Sequence, residues 1–264
     1  MLVATAVAGS LWGQKALAQF NSGDLVLGIR SSTAASTNLV IDLGSAASFD
    51  PYQGTANPNG SAVTLSSVNA TLLNSVFGNM NNLYFSVFGY VDQGNPQGLA
   101  QPVNTIFLTK PENGSGVTSP SSSLSSGAQS QTIGYLAAMF TGASTSTAIS
   151  TGVAGEVASL ANPGSISYAK GIQNNLNPSS PANIHGTWAR YNPEGTTGAS
   201  FSSGVSLDLY QQVPGAAAGT LLGTFNLDPT GAFTFQPAPE PTSVALLGGG
   251  LLAIAAVRRF NRKS

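Results

Sequence analysis

Short stretches in which hydrophobic residues alternate with polar ones, or run together over strand length, predict β-strands on both sides of a less regular middle region. The predicted strands cover residues 24–30, 38–43, 83–91, 104–109, 205–211, 220–227 and 232–236. The last two are joined by Asp228, Pro229, Thr230 and Gly231. Because Pro229 suits the second position of a type I turn and Gly231 the left-handed position of a bulge, these strands should form a hairpin. Its hydrophobic residues should then meet on one face of the sheet, and these are Phe225, Leu227, Phe233 and Phe235.

Helical spacing appears at three places. A first helix should begin after a cap at Ser66 or Ser67 and end at Gly78, with its apolar face formed by Val68, Leu72, Leu73, Val76 and Phe77. A short second helix, ending at Gly142, is indicated by Ile133, Leu136, Ala137 and Phe140. A third, closed by Pro163 and Gly164, is indicated by Ile149, Val153, Val157 and Leu160. The serine-rich residues 119–127 are predicted to be a loop, and residues 171–200 should be loop-rich with a short strand near 185–191.

These elements predict an α+β, β-rich fold class. We expect a mostly antiparallel sheet or sandwich with two or three short helices on one side, plus a C-terminal hydrophobic helix. The hydrophobic fraction of 42% supports a folded core rather than a disordered chain.

The C-terminal residues form a compact targeting pattern. Pro239, Glu240 and Pro241 precede an uninterrupted apolar run at residues 244–257. At ~1.5 Å per residue this run spans about 21 Å as a helix, shorter than the ~30 Å hydrocarbon core of a membrane. Basic side chains can extend the span by reaching the headgroups, and they follow at once as Arg258, Arg259, Arg262 and Lys263. The alternative is a C-terminal helix docked on the protein core.

The N-terminal residues resemble a secretory signal peptide. An apolar run at residues 2–11 is followed by Ala16, Leu17 and Ala18, the small-x-small pattern at which signal peptidase cuts. Cleavage there would make Gln19 the first mature residue. The usual basic residues before the apolar run are missing, so we expect the true start codon to lie upstream. The alternative is that residues 1–18 form a helix of the domain.

Charge and cysteine content exclude several kinds of function. Charged residues make up 7% of the chain. Between residues 19 and 237 the basic residues are Arg30, Lys110, Lys170 and Arg190, against nine acidic ones. This balance offers no basic surface to a nucleic acid, and no nucleic-acid partner is predicted. Because the chain has no cysteine, disulfides, thiol catalysis and thiolate metal sites are excluded.

The C-terminal pattern of Pro239, Glu240, Pro241, apolar run and basic cluster resembles the PEP-CTERM sorting signal of Gram-negative bacteria. The resemblance implies that exosortase, a membrane-embedded cysteine-dependent protease, reads the tail and removes the apolar helix and the basic residues. Three further stretches, at residues 23–28, 38–44 and 222–227, are similar to a recurrent layout among such proteins. That layout implies no biochemical activity.

No residue pattern predicts catalysis, a cofactor or a metal site. His185 is the only histidine, and it reads most simply as a loop or edge residue rather than a catalytic base. The scattered carboxylates show no local pairing, and they should be solvated or cap turns. Loop oxygens that could hold calcium belong to residues better explained as turn formers, which are Asn79, Asn81, Asn82, Asp92 and Asn95. Trp188 and Tyr191 could contact a sugar ligand, although core packing is the alternative.

We therefore expect a signal peptide at residues 1–18, an exported β-rich domain at 19–237 and a PEP-CTERM signal at 238–264. The expected function is that of a non-enzymatic structural or interaction protein of the cell surface or of an extracellular polysaccharide matrix. The alternative is an extracellular carbohydrate-binding module or sugar-active enzyme. Expected partners are signal peptidase, exosortase, transiently the inner membrane, and exopolysaccharide.

Overall fold

The computed structural model of the protein describes residues 20–31, 37–53, 61–92, 101–111, 126–144, 157–161, 168 and 193–238. Their regular elements are ten strands, two α-helices and two 3-10 turns at Ala46–Phe49 and Pro51–Gln53. The strands are β1 (Asp24–Ser31), β2 (Thr37–Ser45), β3 (Val63–Thr64), β4 (Leu83–Tyr90), β5 (Ile106–Pro111), β6 (Val157–Ala161), β7 (Gly195–Thr196), β8 (Val205–Gln212), β9 (Thr220–Leu227) and β10 (Phe233–Pro237). The helices are α1 (Ala70–Phe77) and α2 (Ser126–Ser144).

The described strands form one antiparallel sheet. Its order is β3-β10-β9-β8-β5-β4-β1-β2-β6, and the short β7 pairs separately with β4. The predicted β-rich, mostly antiparallel architecture is thus confirmed. The predicted C-terminal hydrophobic helix lies outside the described residues.

The sheet curls so strongly that distant strands touch across its concave face. Phe85 of β4 and Phe233 of β10 belong to strands separated by three others, yet their ring centroids lie 6.3 Å apart in an edge-to-face contact. Such a contact requires the strands to bend around a common core. The larger of the two apolar cores fills this concave face.

Helix α1 covers the concave core, and its ends show why it starts and stops where it does. Leu72 and Leu73 are its buried residues. Asn69 caps the N-terminus, because its side-chain oxygen accepts a hydrogen bond of 2.9 Å from the Leu72 amide. The predicted caps Ser66 and Ser67 were therefore wrong. Gly78 ends the helix in a left-handed conformation with φ of 78°, as predicted.

Helix α2 covers the convex face with a second core. Phe140 of α2 contacts Phe20, Phe88 and Tyr90, at ring-centroid distances of 6.2, 6.0 and 4.9 Å. The prediction that all helices lie on one side of the sheet was wrong, since α1 and α2 pack on opposite faces.

Two further predictions about the middle of the chain were wrong. Helix α2 begins at Ser126, inside the stretch predicted to be a loop, and runs to Ser144 rather than ending at Gly142. The predicted third helix contains strand β6, which pairs with β2 over five residues. Its apolar residues at positions 157 and 160 suited a helix, but pairing with an exposed sheet edge satisfies the backbone hydrogen bonds instead.

The chain enters and leaves the sheet at the same end, which we call the terminal end. Strand β1 starts there and β10 finishes there, as the antiparallel pairings from β1 through β4, β5, β8 and β9 to β10 require. Hydrogen bonds fix both chain segments in place. The Gly23 amide donates to the Tyr90 carbonyl at 2.8 Å, and the Ala238 amide donates to the Leu222 carbonyl at 2.9 Å.

Candidate functional site

The predicted sorting residues are joined directly to the last strand of the sheet. Pro237, the last residue of β10, lies opposite Gly223 of β9. Ala238 is still hydrogen-bonded to β9, and Pro239 is the next residue in the chain. No flexible linker therefore separates the folded sheet from the Pro-Glu-Pro triplet.

Strand β10 is held firmly by its aromatic residues. The rings of Phe233 and Phe225 stack with centroids 5.3 Å apart, and Phe235 lies 4.8 Å from Phe225 and 5.1 Å from Phe49. Phe233 and Phe235 are almost completely buried. Pulling β10 out of the sheet would expose both side chains, and truncating even one buried Phe typically costs about 3–5 kcal/mol. The strand before the sorting residues is thus a fixed part of the core.

A second group of polar side chains surrounds a buried ion pair on the convex face of the sheet. Arg30 at the end of β1 meets Glu194, which directly precedes β7, in a two-pronged contact. Its Nη2 lies 2.6 Å from Oε2, and its Nε donates to Oε1 at 2.9 Å. The Arg30 guanidinium also lies 4.4 Å from the centre of the Tyr84 ring. Two charges removed from water need such close pairing to be tolerated.

Tyr168 packs on the convex face of the sheet and contacts the same ion pair. Its hydroxyl donates to Glu194 Oε1 at 2.8 Å and lies 2.8 Å from Ser86 Oγ. The ring stacks on Phe88 and covers Gly28, where any Cβ would fall 2.2 Å from a ring carbon. Burial raises the pKa of Tyr168 well above its ordinary value, and the negative charge of Glu194 acts in the same direction. A neutral Tyr168 that donates a hydrogen bond to an already paired carboxylate suits a structural role, because it links its own segment to Glu194 and to β4.

Several of the other described acids accept hydrogen bonds from the backbone near them. The carboxylates of Asp42, Asp50 and Asp228 each accept a hydrogen bond from an amide two residues later. Two of the side-chain oxygens considered for calcium accept backbone hydrogen bonds, since Asn79 accepts from the Asn81 amide and Asn81 accepts from the Phe201 amide. Within the described segments, no group of three or more His, Cys, Asp or Glu residues is placed to hold a metal.

Most of the sequence-predicted site residues lie outside the described residues. These are the sorting residues Pro239, Glu240 and Pro241, the basic flank Arg258, Arg259, Arg262 and Lys263, the cleavage residues Ala16, Ala18 and Gln19, the possible ligand contacts Trp188 and Tyr191, and His185. They remain predictions.

The Arg30–Glu194 pair was missed by sequence reasoning, since its members lie 164 positions apart. One signal was available. Arg30 is one of few basic residues in the chain, and it stands inside a strand pattern that is otherwise apolar. A buried charge in such a strand requires a partner.

Comparison with known proteins identifies the C-terminal segment. Residues 237–259 match the family model of the PEP-CTERM protein-sorting motif. No curated protein and no solved structure matches the chain. Among the described residues, no helix is both long and apolar enough to cross a membrane. The motif implies export and processing by exosortase. The chain thus carries a PEP-CTERM sorting motif that begins on the last residue of its antiparallel sheet.

Proposed function

We propose that this is an exported structural or interaction protein of the cell surface or of an extracellular polysaccharide matrix, delivered by its PEP-CTERM tail. The observation that carries the proposal is the position of the motif, whose match starts at the residue where β10 ends. The sheet is therefore complete before the tail begins, and it can be released whole as the delivered part of the protein.

The surface composition supports a role in a hydrated matrix. With 7% charged residues, the chain depends for solubility mainly on uncharged polar groups. The described charges are partly used internally, since Arg30 and Glu194 are buried against each other. Such a surface suits contact with neutral polar polymers through hydrogen bonds more than electrostatic capture of charged ligands.

The first test is the intact mass of the protein from the envelope and the medium of its native host. We expect a form that starts at Gln19 and ends near residues 239–241. The double variant Pro239→Ala with Pro241→Ala should keep residues 242–264 and stay in the envelope. Pro214→Ala, in the turn between β8 and β9, serves as the control and should be processed normally. A wild-type protein that retains its basic C-terminus would contradict exosortase processing.

The second test concerns the destination. The processed protein should co-fractionate with extracellular polysaccharide and be released when the polysaccharide is digested enzymatically. Recovery as a free protein in the medium, with no change in the matrix when the gene is deleted, would contradict a matrix role. Loss of polysaccharide binding in Trp188→Ala alone would instead favour the carbohydrate-binding alternative.

A further inference from the structure

We propose that the terminal end of the sheet is a lipid-facing surface, which rests on the outer side of the membrane while the sorting tail is inserted. This inference depends on the proposed tail-sorted delivery, and it adds an orientation and a contact surface. Three features carry it: the exit points of the chain, the short tether and the exposed apolar side chains.

Both segments predicted to enter the membrane are attached to the terminal end. The residues before Phe20 include the predicted signal peptide, and the Asp92 amide beside them donates to Ser22 Oγ at 3.1 Å. The residues after Ala238 contain the sorting motif. Once the chain has crossed the membrane and folded, a sheet still held by the inserted tail would present that same end to the membrane.

The tether is short, and it keeps the terminal end of the sheet near the membrane. From Ala238 to the start of the apolar run at Val244 there are six residue steps. A fully extended chain covers at most ~3.6 Å per step, so the sheet end lies within about 22 Å of the hydrocarbon boundary. The headgroup region fills roughly 6 Å of that distance on each side of a bilayer. At most about 16 Å therefore separates this end of the sheet from the headgroups.

The terminal end also carries exposed hydrophobic side chains. Of the four large hydrophobic residues that are exposed among those described, Tyr52 and Val103 lie at this end. Tyr52 is 45% exposed and its hydroxyl lies 3.5 Å from the Leu221 carbonyl near the start of β9. Val103, 43% exposed, lies in the turn before β5 at this end. Val63 pairs with Phe235 at the level of Pro111, so it lies towards the opposite end and is not part of this surface. Tyrosine with nearby aliphatic groups suits the membrane–water interface.

The charge distribution indicates that the contact is not electrostatic. Both basic residues in the described segments, Arg30 and Lys110, lie near the opposite end of the sheet. Asp24 at the terminal end is buried and accepts a hydrogen bond from the Asn21 amide, whereas Asp92 is exposed. The surface should therefore contact zwitterionic lipid as well as anionic lipid, and with little dependence on salt.

The absence of cysteine allows a direct test with single introduced labels. The variants Tyr52→Cys and Val103→Cys place a nitroxide at the terminal end. Ser203→Cys, exposed just before β8 at the opposite end, is the matched control. The full-length chain is reconstituted into phosphatidylcholine vesicles, with or without phosphatidylglycerol. Collision rates are then measured with oxygen, which partitions into lipid, and with a water-soluble nickel chelate.

We expect the oxygen-to-nickel accessibility ratio at positions 52 and 103 to exceed that at 203 severalfold in both kinds of vesicle. The difference should disappear in the processed protein recovered from the medium. Equal ratios at all three positions in the membrane-bound chain would overturn the inference. So would shielding that persists without lipid and grows with protein concentration, because that result indicates contact between copies of the chain.

The inference and the proposed function can fail separately. If the intact mass shows normal processing while all labels stay accessible to water, delivery stands and the lipid-facing surface is wrong. If the full-length chain does not associate with vesicles, anchoring by the tail is itself contradicted, and the inference falls with it.

Discussion

Arg30 and Glu194 join the first described strand to a segment near the end of the domain. Glu194 is placed by the neighbouring pairing of β7 with β4, where the Thr197 amide donates to the Leu83 carbonyl at 3.0 Å. The Leu83 amide in turn donates a hydrogen bond of 2.9 Å to Thr197 Oγ1. The ion pair thus depends on local strand pairing, and it in turn fixes a segment that has little regular structure of its own.

Removing one partner of the pair should be strongly destabilising. Glu194→Gln leaves the buried guanidinium of Arg30 without a countercharge, which typically costs about 3–5 kcal/mol. Asp92→Asn also removes one carboxylate, but an exposed one, and should change the free energy of unfolding by less than ~0.5 kcal/mol. Denaturant unfolding of both variants measures the difference. Similar small effects in the two would mean that the pair contributes no more than a surface charge.

The β9–β10 hairpin links the final strand to helix α1 through its turn. Gly231 has φ of +81° in the turn that starts at Asp228, and the Gly231 amide donates to the Asp228 carbonyl at 2.9 Å. The Asp228 carboxylate accepts hydrogen bonds from Thr230 and Ala232, and these lower its pKa. A Cβ at position 231 would lie only 2.4 Å from the amide nitrogen of Ala70, the first residue of α1. The turn and the helix therefore constrain each other.

Two glycine substitutions, one in the β9–β10 turn and one in the β8–β9 turn, distinguish the energetic cost of backbone strain from that of steric crowding. Gly231→Ala and Gly215→Ala both place a Cβ on a left-handed backbone, with φ of +81° and +76°. Gly215→Ala meets no atom within 4 Å and should cost only about 1–2 kcal/mol. Gly231→Ala should cost clearly more, since backbone atoms of Ala70 must move. Thermal and denaturant unfolding give both values, and equal losses would contradict close packing of the turn against α1.

The elements best predicted from sequence were those with a clear period and local stop signals. The hairpin strands, β4 and the Gly78 end of α1 all combine a hydrophobic pattern with a glycine or turn residue nearby. Strand β6 could not be distinguished from a helix, because its pattern fits both and its partner β2 is over a hundred residues away. The cap at Asn69 was missed because two serines nearby were equally suitable. The buried pair depends on tertiary contacts that no local pattern contains.

The folded domain and the sorting tail meet at a sharp boundary. Strand β10 ends at Pro237, the Ala238 amide still donates to the Leu222 carbonyl, and the sorting triplet begins at the next residue. The family match overlaps the last strand at Pro237 alone, and its second residue, Ala238, is still hydrogen-bonded to β9. Processing after this boundary should leave the sheet intact.

Truncation tests where the domain ends. A chain stopped after Ala238 should keep the unfolding free energy of the longer protein to within ~0.5 kcal/mol, because no described contact is lost. A chain stopped after Ala232 loses Phe233 and Phe235, whose combined contribution of roughly 6–10 kcal/mol approaches the whole stability of a typical domain. Near-UV circular dichroism and denaturant unfolding distinguish the two. A loss of tertiary signal in the first chain would place essential contacts beyond Ala238.

The contact between Phe85 and Phe233 sets an order of events during synthesis. Strand β10 is made after every other described strand, yet its ring must reach β4 to close the concave core. Until residues 233–237 have left the ribosome, the concave core lacks one of its strands, and contacts between strands so distant in sequence form slowly. A nascent chain that cannot finish folding early stays extended enough to be threaded through a secretion channel. We therefore expect the protein to become compact only after its last strand has been made, which favours export of an unfolded chain.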